Sequence, residues 1–527
     1  MRSLPLTALA FAVGTSALAA QDIEMAAAQS GRPLPAAYFE RIRAQPDFFT
    51  LEPAWVNKAR MAAEQQAPVA GELKIVVIQA LHADTPDPTF TAQDLDRVYF
   101  SGPYPNGTLS EFYDEVSGGR LAITGDVIDW VRTSLTRAEV VGTSYGLGGD
   151  ARTGEYLVEA LDSVDAGIDF GEYDNDGPDG QPNSGDDDGV VDVVAFQFHE
   201  ISASCGGPGI WPHRSSIRGW TGAPYTTDDA RSGGGSITVN GYTIQSVVNC
   251  NGVDITTAGT MAHELGHALG LPDYRHHVGG VEPEHRRWLI GCWGLMSGGS
   301  WGCDGIDRST WVRPPHMTPI AKLEMGWLGG LQSIGEVELQ EFTLQPVVTS
   351  EHVLQVPLRG TDEFLLVEFR DKIGFDLALP AAGVLVYHME PGRSYPCDDC
   401  PRLYPFYLVE ADGRGDLLRT SLEGGNIGEA SDPFGATGPV RFTNFTQPST
   451  RLNGGGPSQV NFYRIAIEDG VAKITLSTAA IAMERTLAPF LLNGGESLAS
   501  VEQEFLDSSG NQNGHYDVGD LRAYLRR

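Results

Sequence analysis

One short segment has residue types at the spacing of a metal site: His263-Glu264-Leu265-Gly266-His267. Its two histidines are four apart, so a helix turns both imidazoles to one face. Neutral imidazole nitrogens suit Zn2+. Glu264 stands beside them, where it can take a proton from a metal-activated water. Gly270 can end the helix in the left-handed conformation, and Pro272 bars its continuation. The chain then turns back and can present Asp273 as a third ligand. A catalytic zinc needs three protein ligands and one open position for water, which His263, His267 and Asp273 would leave. Glu282, Glu284 and His285 follow closely enough to compete for the third place. With 12 histidines in 527 residues, the bare motif arises by chance roughly 0.02 times in such a chain, so packing histidines are the poorer reading. Met296, flanked by glycines in Gly294-Leu-Met-Ser-Gly298, reads as a tight turn that puts a thioether floor under the histidines.

Two acidic stretches suggest a second ion. The run from Asp174 to Asp192 alternates aspartate with glycine, a composition that folds carboxylates inward around Ca2+. Asp174, Asp176, Asp188 and Asp192 are the expected ligands. Near the C-terminus, Asn511, Asn513, Asp517 and Asp520 have the spacing of an EF-hand or dockerin-like calcium loop. Ser509 falls at its first position, where aspartate is usual.

The elements that must position these residues follow from periodicity. Lys74–Gln79 is a continuous β-branched run, hence a buried strand. Ser110–Ser117 and Tyr156–Asp165 read as helices, and Leu121–Val127 and Val190–Phe198 as strands. This alternation predicts an α+β catalytic domain over 72–335. From Val337 to Leu476 short alternating segments separated by turns predict a β-sandwich-like domain, 336–478. Residues 479–527 read as a linker and the calcium tail. Residues 1–19 have the basic start, short apolar run and small residues of a secretory signal, and 20–71 is a helical leader that reads as a pro-segment.

Six cysteines fit an oxidising compartment, and the expected pairs are Cys205–Cys250, Cys292–Cys303 and Cys397–Cys400. The net charge of −33 disfavours nucleic acid and anionic lipid as partners. No apolar run beyond the signal approaches 20 residues, so no membrane span is expected. A 64-glycine, 32-proline composition favours turns and strands over a helical bundle.

HELGHALGLPDY followed by WGLMSGGSW resembles the immune inhibitor A-type zinc metallopeptidases, which are metzincin-like. Supporting segments run from Lys74 to Leu476: Phe100-Ser-Gly, the stretch Ser110 to Leu121, Ile210-Trp-Pro-His-Arg214, Glu368-Phe-Arg, Leu385-Val-Tyr-His388, and Val409 to Asp416. The resemblance implies an extracellular or periplasmic endopeptidase acting on proteins or peptides, made as a zymogen, with zinc and calcium. It carries His263, His267 and Asp273 over as ligands and Glu264 as base. Metzincins often have histidine as third ligand and a tyrosine just after the methionine turn. Here Asp273 and Ser297-Gly298 stand there, so Tyr274, His276 and His277 are all open as the oxyanion group. A non-catalytic matrix-binding protein would predict a damaged motif. A zinc hydrolase of another amide or an ester would keep it.

Overall fold

The computed structural model describes residues 34–49, 55, 58–59, 61–62, 65, 67–278, 283–301, 313–358, 360–396, 403–438, 440–479, 498, 500–509, 511 and 513–524. The signal segment 1–19, Glu282, Cys303, Cys397 and Cys400 lie outside them. The chain divides into two compact units, one of residues 1–327 with Phe375–Leu379, the other of 328–374 and 380–527. The break thus falls at Trp327–Leu328, before the expected 335/336.

The described part of the first unit begins with helix α1 (Ala36–Ala44), then strand β1 (Gly71–Leu81), helices α2 (Ala92–Tyr99) and α3 (Leu109–Ser117) and strand β2 (Leu121–Arg132). Helix α4 (Thr153–Val164) leads to β3 (Val194–Phe198), β4 (His213–Ser216) and β5 (Gly241–Ser246), then to helices α5 (Ala258–Ala268) and α6 (Pro319–Glu324). One five-stranded sheet has the order β2-β1-β3-β5-β4, and only the edge strand β4 runs antiparallel to its neighbour. β1 is covered on both faces, which is why it reads as an unbroken apolar run.

On one face Val76 and Ile78 pack with Tyr156, Leu157 and Leu161 of α4 and with Phe196 and Ile244. On the other, Gln79, Gln197 and Gln245 stand in register across β1, β3 and β5. The latter two donate to the buried Tyr99 hydroxyl of α2, at 3.1 and 2.5 Å. Helices α2 and α3 each start with a full capping box, Thr91/Asp94 and Thr108/Glu111. α3 is tied to α5 by the Tyr113 hydroxyl, which donates to Ala262 O at 2.6 Å. The expected strand Val190–Phe198 is shorter, because Val190 forms only an isolated bridge with Thr238 and Asp192 stays in the loop.

The leader packs on this unit. Arg41 of α1 donates to the carbonyls of Leu147 and Gly148, both at 3.0 Å. Phe48 and Phe49 are buried with Tyr38 and Trp211. Ser215 Oγ of the edge strand donates to Phe48 O at 2.5 Å, and Trp55 N donates to Ala268 O at the end of α5 at 3.0 Å. Cys205 and Cys250 form a disulfide with Cα atoms 5.1 Å apart, as expected. Cys292 is also disulfide-bonded.

The second unit holds β6 (Gly330–Ser333), β7 (Gln340–Leu344), β8 (His352–Pro357), β9 (Phe364–Arg370), β10 (Gly383–Met389), β11 (Phe406–Leu408), β12 (Val440–Phe442), β13 (Asn461–Glu468) and β14 (Val471–Ser477). They make two sheets, β6-β8-β9-β10-β11 and β7-β14-β13-β12. Leu354, Leu365, Val367 and Val386 of the first share one core with Phe342, Phe462, Ile465 and Ile474 of the second. Helices α7 (Ser500–Ser509) and α8 (Val518–Tyr524) follow, and Leu506 packs with Tyr463 of β13.

Gly259 shows how tightly α5 is seated: a Cβ there would stand 2.5 Å from Ser300 O. Gly259→Ala gains about 1 kcal/mol in helix propensity but forces a backbone overlap that costs roughly 1–3 kcal/mol. The clash is with a carbonyl that no rotamer can move, so it wins. A thermal melt of Gly259→Ala should show a lower midpoint than wild type; an unchanged or raised midpoint would mean that α5 is free to shift.

Candidate metal centre

Helix α5 is buried along nearly its whole length, so its polar residues stand there for a reason other than solvation. His263 Nε2 lies 3.1 Å from His267 Nε2 and 3.3 Å from Asp273 Oδ1, and His267 Nε2 lies 3.6 Å from Asp273 Oδ2. One ligand atom from each falls within 4.8 Å of the others. His263 Nδ1 donates to Leu295 O at 2.9 Å and His267 Nδ1 to Leu271 O at 2.8 Å. With Nδ1 protonated, each Nε2 carries the lone pair and faces the other ligand atoms. Two imidazole nitrogens and a carboxylate make a donor set that fits a divalent ion such as zinc.

The turn that brings Asp273 back follows the glycine and proline logic. Gly270 has φ +94°, and Leu271 N closes the helix end on Gly266 O at 2.9 Å. Tyr274 N then donates to Met296 O at 2.7 Å, and Ser297 Oγ donates to the carbonyls of Tyr274 and Trp288. Met296 packs directly against the helix: a Cβ on Gly266 would lie 2.4 Å from its sulfur. Gly266 therefore makes room for the thioether between the two histidines.

Glu264 has a partner that spacing alone did not reveal. Arg214, buried on β4, places Nη1 3.4 Å from Glu264 Oε2 and Nη2 4.0 Å from Asp273 Oδ2. Arg275 Nη2 lies 3.2 Å from Asp273 Oδ1. Two guanidiniums thus flank the two carboxylates. The available signal was an arginine in the short segment His213–Ser216.

The other candidates are placed elsewhere. The buried Tyr274 hydroxyl donates to Glu324 of α6 at 3.3 Å, and burial pushes Glu324 up to about 7. His276 and His277 pair with Arg287 and Arg286 in a short ladder. Glu284 is exposed, and His285 Nδ1 donates to Val278 O at 2.9 Å.

In the acidic loop Asp174, Asp176 and Asp192 gather, each with an oxygen within 4.8 Å of the others. Asp174 is fully buried; its Oδ2 accepts from Gly189 N at 3.0 Å, and its Oδ1 has no hydrogen-bond donor. Burial, then repulsion among the carboxylates, pushes Asp174 up to about 7 and Asp176 to about 6. Burial likewise lifts Asp192 to about 8. Asp188 is exposed and its Oδ1 accepts from Val190 N at 2.8 Å, while its charge still acts on Asp174 and Asp176. Its buried neighbour Asp187 instead braces the loop, accepting from Gly177 N and Ser184 N. In the tail, Asn511 N donates to Asp520 Oδ1, and the amides of Asn511 and Asn513 both donate to Asp517. Asp507 reaches the loop, accepting from Gly514 N at 3.0 Å. Two acidic groups that the sequence did not suggest are Asp165/Asp228/Asp229 and Asp412/Glu429/Asp432.

Residues 90–328 match the model of the immune inhibitor A peptidase M6 catalytic domain. This stretch is similar to that catalytic domain. It is 29% identical over 235 residues to the pre-pro-metalloprotease PrtV of Vibrio cholerae serotype O1, covering 40% of this chain and 24% of that protein. It is 30% identical over 221 residues to immune inhibitor A of Bacillus thuringiensis subsp. alesti, covering 37% of this chain and 28% of that one. The chain therefore spans about a quarter of the length of these relatives. The peptidase domain so matched contains the histidine pair, Asp273, Met296, Arg214 and the acidic loop.

If the peptidase domain binds its metal through this trio, His263→Ala and Asp273→Ala should each lower bound metal well below one equivalent. Glu284→Ala and His285→Ala should leave it unchanged. Elemental analysis of the purified variants checks this, and a fully metallated Asp273→Ala would move the third ligand elsewhere.

Proposed function

We propose that the chain is a secreted zinc-dependent endopeptidase. The observation that supports this most is the convergence of His263, His267 and Asp273 with Glu264 held alongside by Arg214. A zinc ion held by these three would polarise a peptide carbonyl and lower the pKa of water. Glu264 takes the proton of the attacking water at a carboxylate oxygen and delivers it to the leaving amine nitrogen. Arg214 keeps Glu264 anionic and oriented between these steps. Leu295 O and Leu271 O keep both imidazoles in the tautomer that ligates.

The remaining parts fit an exported enzyme. The Cys205–Cys250 disulfide suits an oxidising compartment. Residues 20–71 act as a pro-segment, a reading supported by Phe48 and Phe49, which lie against the strand that carries Arg214. Asp174, Asp176 and Asp192 hold calcium, and the tail at 507–520 forms a second, dockerin-like calcium loop. The paired sheets of 336–478 form a β-sandwich. The substrates are proteins or peptides.

Casein digestion tests the central step. Glu264→Ala should fold, retain zinc and lose about 10²–10⁴ in turnover, and wild type stripped by a zinc chelator should lose turnover as well. Cleavage by Glu264→Ala at the wild-type rate would rule the mechanism out; hydrolysis of an ester but not casein would change the substrate class. Calcium should raise the melting midpoint of both the full chain and a chain ending near Pro489. A rise confined to the full chain would place the ion in the tail.

A further inference from the structure

The leader stands on the acidic group of the first unit. Trp55 is buried and its Nε1 donates to Asp192 Oδ2 at 3.0 Å. The Lys58 ammonium lies 4.0 Å from the centre of the Trp55 ring and donates to Asn175 O at 3.1 Å. Asn175 N donates to the same Asp192 Oδ2, at 3.0 Å. The carboxylates of Asp192, Asp187, Asp176 and Asp179 all act on the ammonium. Beneath it, the fully buried Asp174 keeps Oδ1 without a donor, in a group whose oxygens approach within 4.8 Å. A tethered cation from the leader and a place for a free cation thus share the carboxylates of Asp176 and Asp192.

We propose that Lys58 is a built-in counter-ion that competes with calcium for Asp174, Asp176 and Asp192, so that calcium binding loosens the leader and a docked leader weakens calcium. The inference rests on the calcium reading of this loop. Before the ion binds, the ammonium is the cation that faces the acidic cluster; once a divalent ion is seated, that ion cancels the negative charge the ammonium would otherwise meet. The ammonium and the ion also repel each other directly across a partly buried site, where screening is weak. The coupling is reciprocal, because two ligands linked through one group of charges must change each other's affinity by the same factor. Trp55 marks where the effect is felt, since its own N–H is bonded to Ala268 at the end of the metal-bearing helix α5. A chain moving from a calcium-poor to a calcium-rich compartment would carry a leader that is held first and released later.

Calcium chloride titrations by calorimetry at pH 8 test this. They use the full chain carrying Glu264→Ala to stop self-cleavage, with and without Lys58→Gln, Lys58→Arg, Asp174→Asn or Asp176→Asn. One calcium event should vanish in Asp174→Asn and in Asp176→Asn. Lys58→Gln should tighten that event roughly three- to tenfold, while Lys58→Arg, which keeps the charge, leaves it near the parent value. Hydrogen exchange of residues 34–62 in the parent should speed up on saturation with calcium. An unchanged or weakened affinity in Lys58→Gln, or slower exchange of the leader with calcium, would overturn the coupling while leaving the ion site in place. Calcium binding that survives in both aspartate variants would overturn the site itself.

Discussion

Two imidazole nitrogens and the two oxygens of one carboxylate, all of which prefer to accept a proton or a cation, stand 3.1–3.6 Å apart at His263, His267 and Asp273. Without a positive charge among them such crowding is unfavourable, since each group would be better served by its own donor. The surrounding structure opposes that repulsion. Carbonyls of Leu295 and Leu271 fix the imidazoles from behind, and Arg214 and Arg275 flank Asp273 from the sides. Met296 fills the floor beneath Gly266, and the Tyr113 hydroxyl ties the helix to α3. A divalent ion held among them would relieve the crowding and so stabilise the arrangement.

The sheet sets where the site can be. Parallel strands β1, β3 and β5 give a rigid, doubly covered layer, and the polar face of Gln79, Gln197 and Gln245 locks α2 onto it. The antiparallel edge strand β4 then delivers Arg214 to Glu264. The leader uses the same edge, through Ser215 and Phe48, and the acidic loop beyond it, through Trp55. Glu264, the strand that reaches it and the leader are therefore linked through a few residues of β4.

What could be read from the sequence is what local periodicity and spacing encode. The helix of His263 and His267, its end at Gly270 and the return to Asp273 lie within one turn-and-stop signal, so they were legible. So were β1, α3, β2 and α4, whose apolar patterns are long. Arg214 was not, because its role depends on a strand brought alongside α5 from 50 residues away in sequence. Composition marks an acidic loop but not which carboxylates are buried: Asp174, Asp176 and Asp192 gather, while Asp188 is exposed beside them. The groups at Asp165 and Asp412 arise only from tertiary contact and carried no local signal. Phe375–Leu379, which belongs with the first unit although the sequence around it is all strand and turn, was invisible for the same reason.

Zinc K-edge absorption spectroscopy of the full chain tests the central claim most directly, because it reads the ligands themselves. The account predicts a four-coordinate ion with two imidazole nitrogens and oxygen ligands, all at about 2.0–2.1 Å, and a spectrum that loses one oxygen shell component in Asp273→Ala. A sulfur shell, a single imidazole, or a spectrum unaltered by that substitution would contradict it.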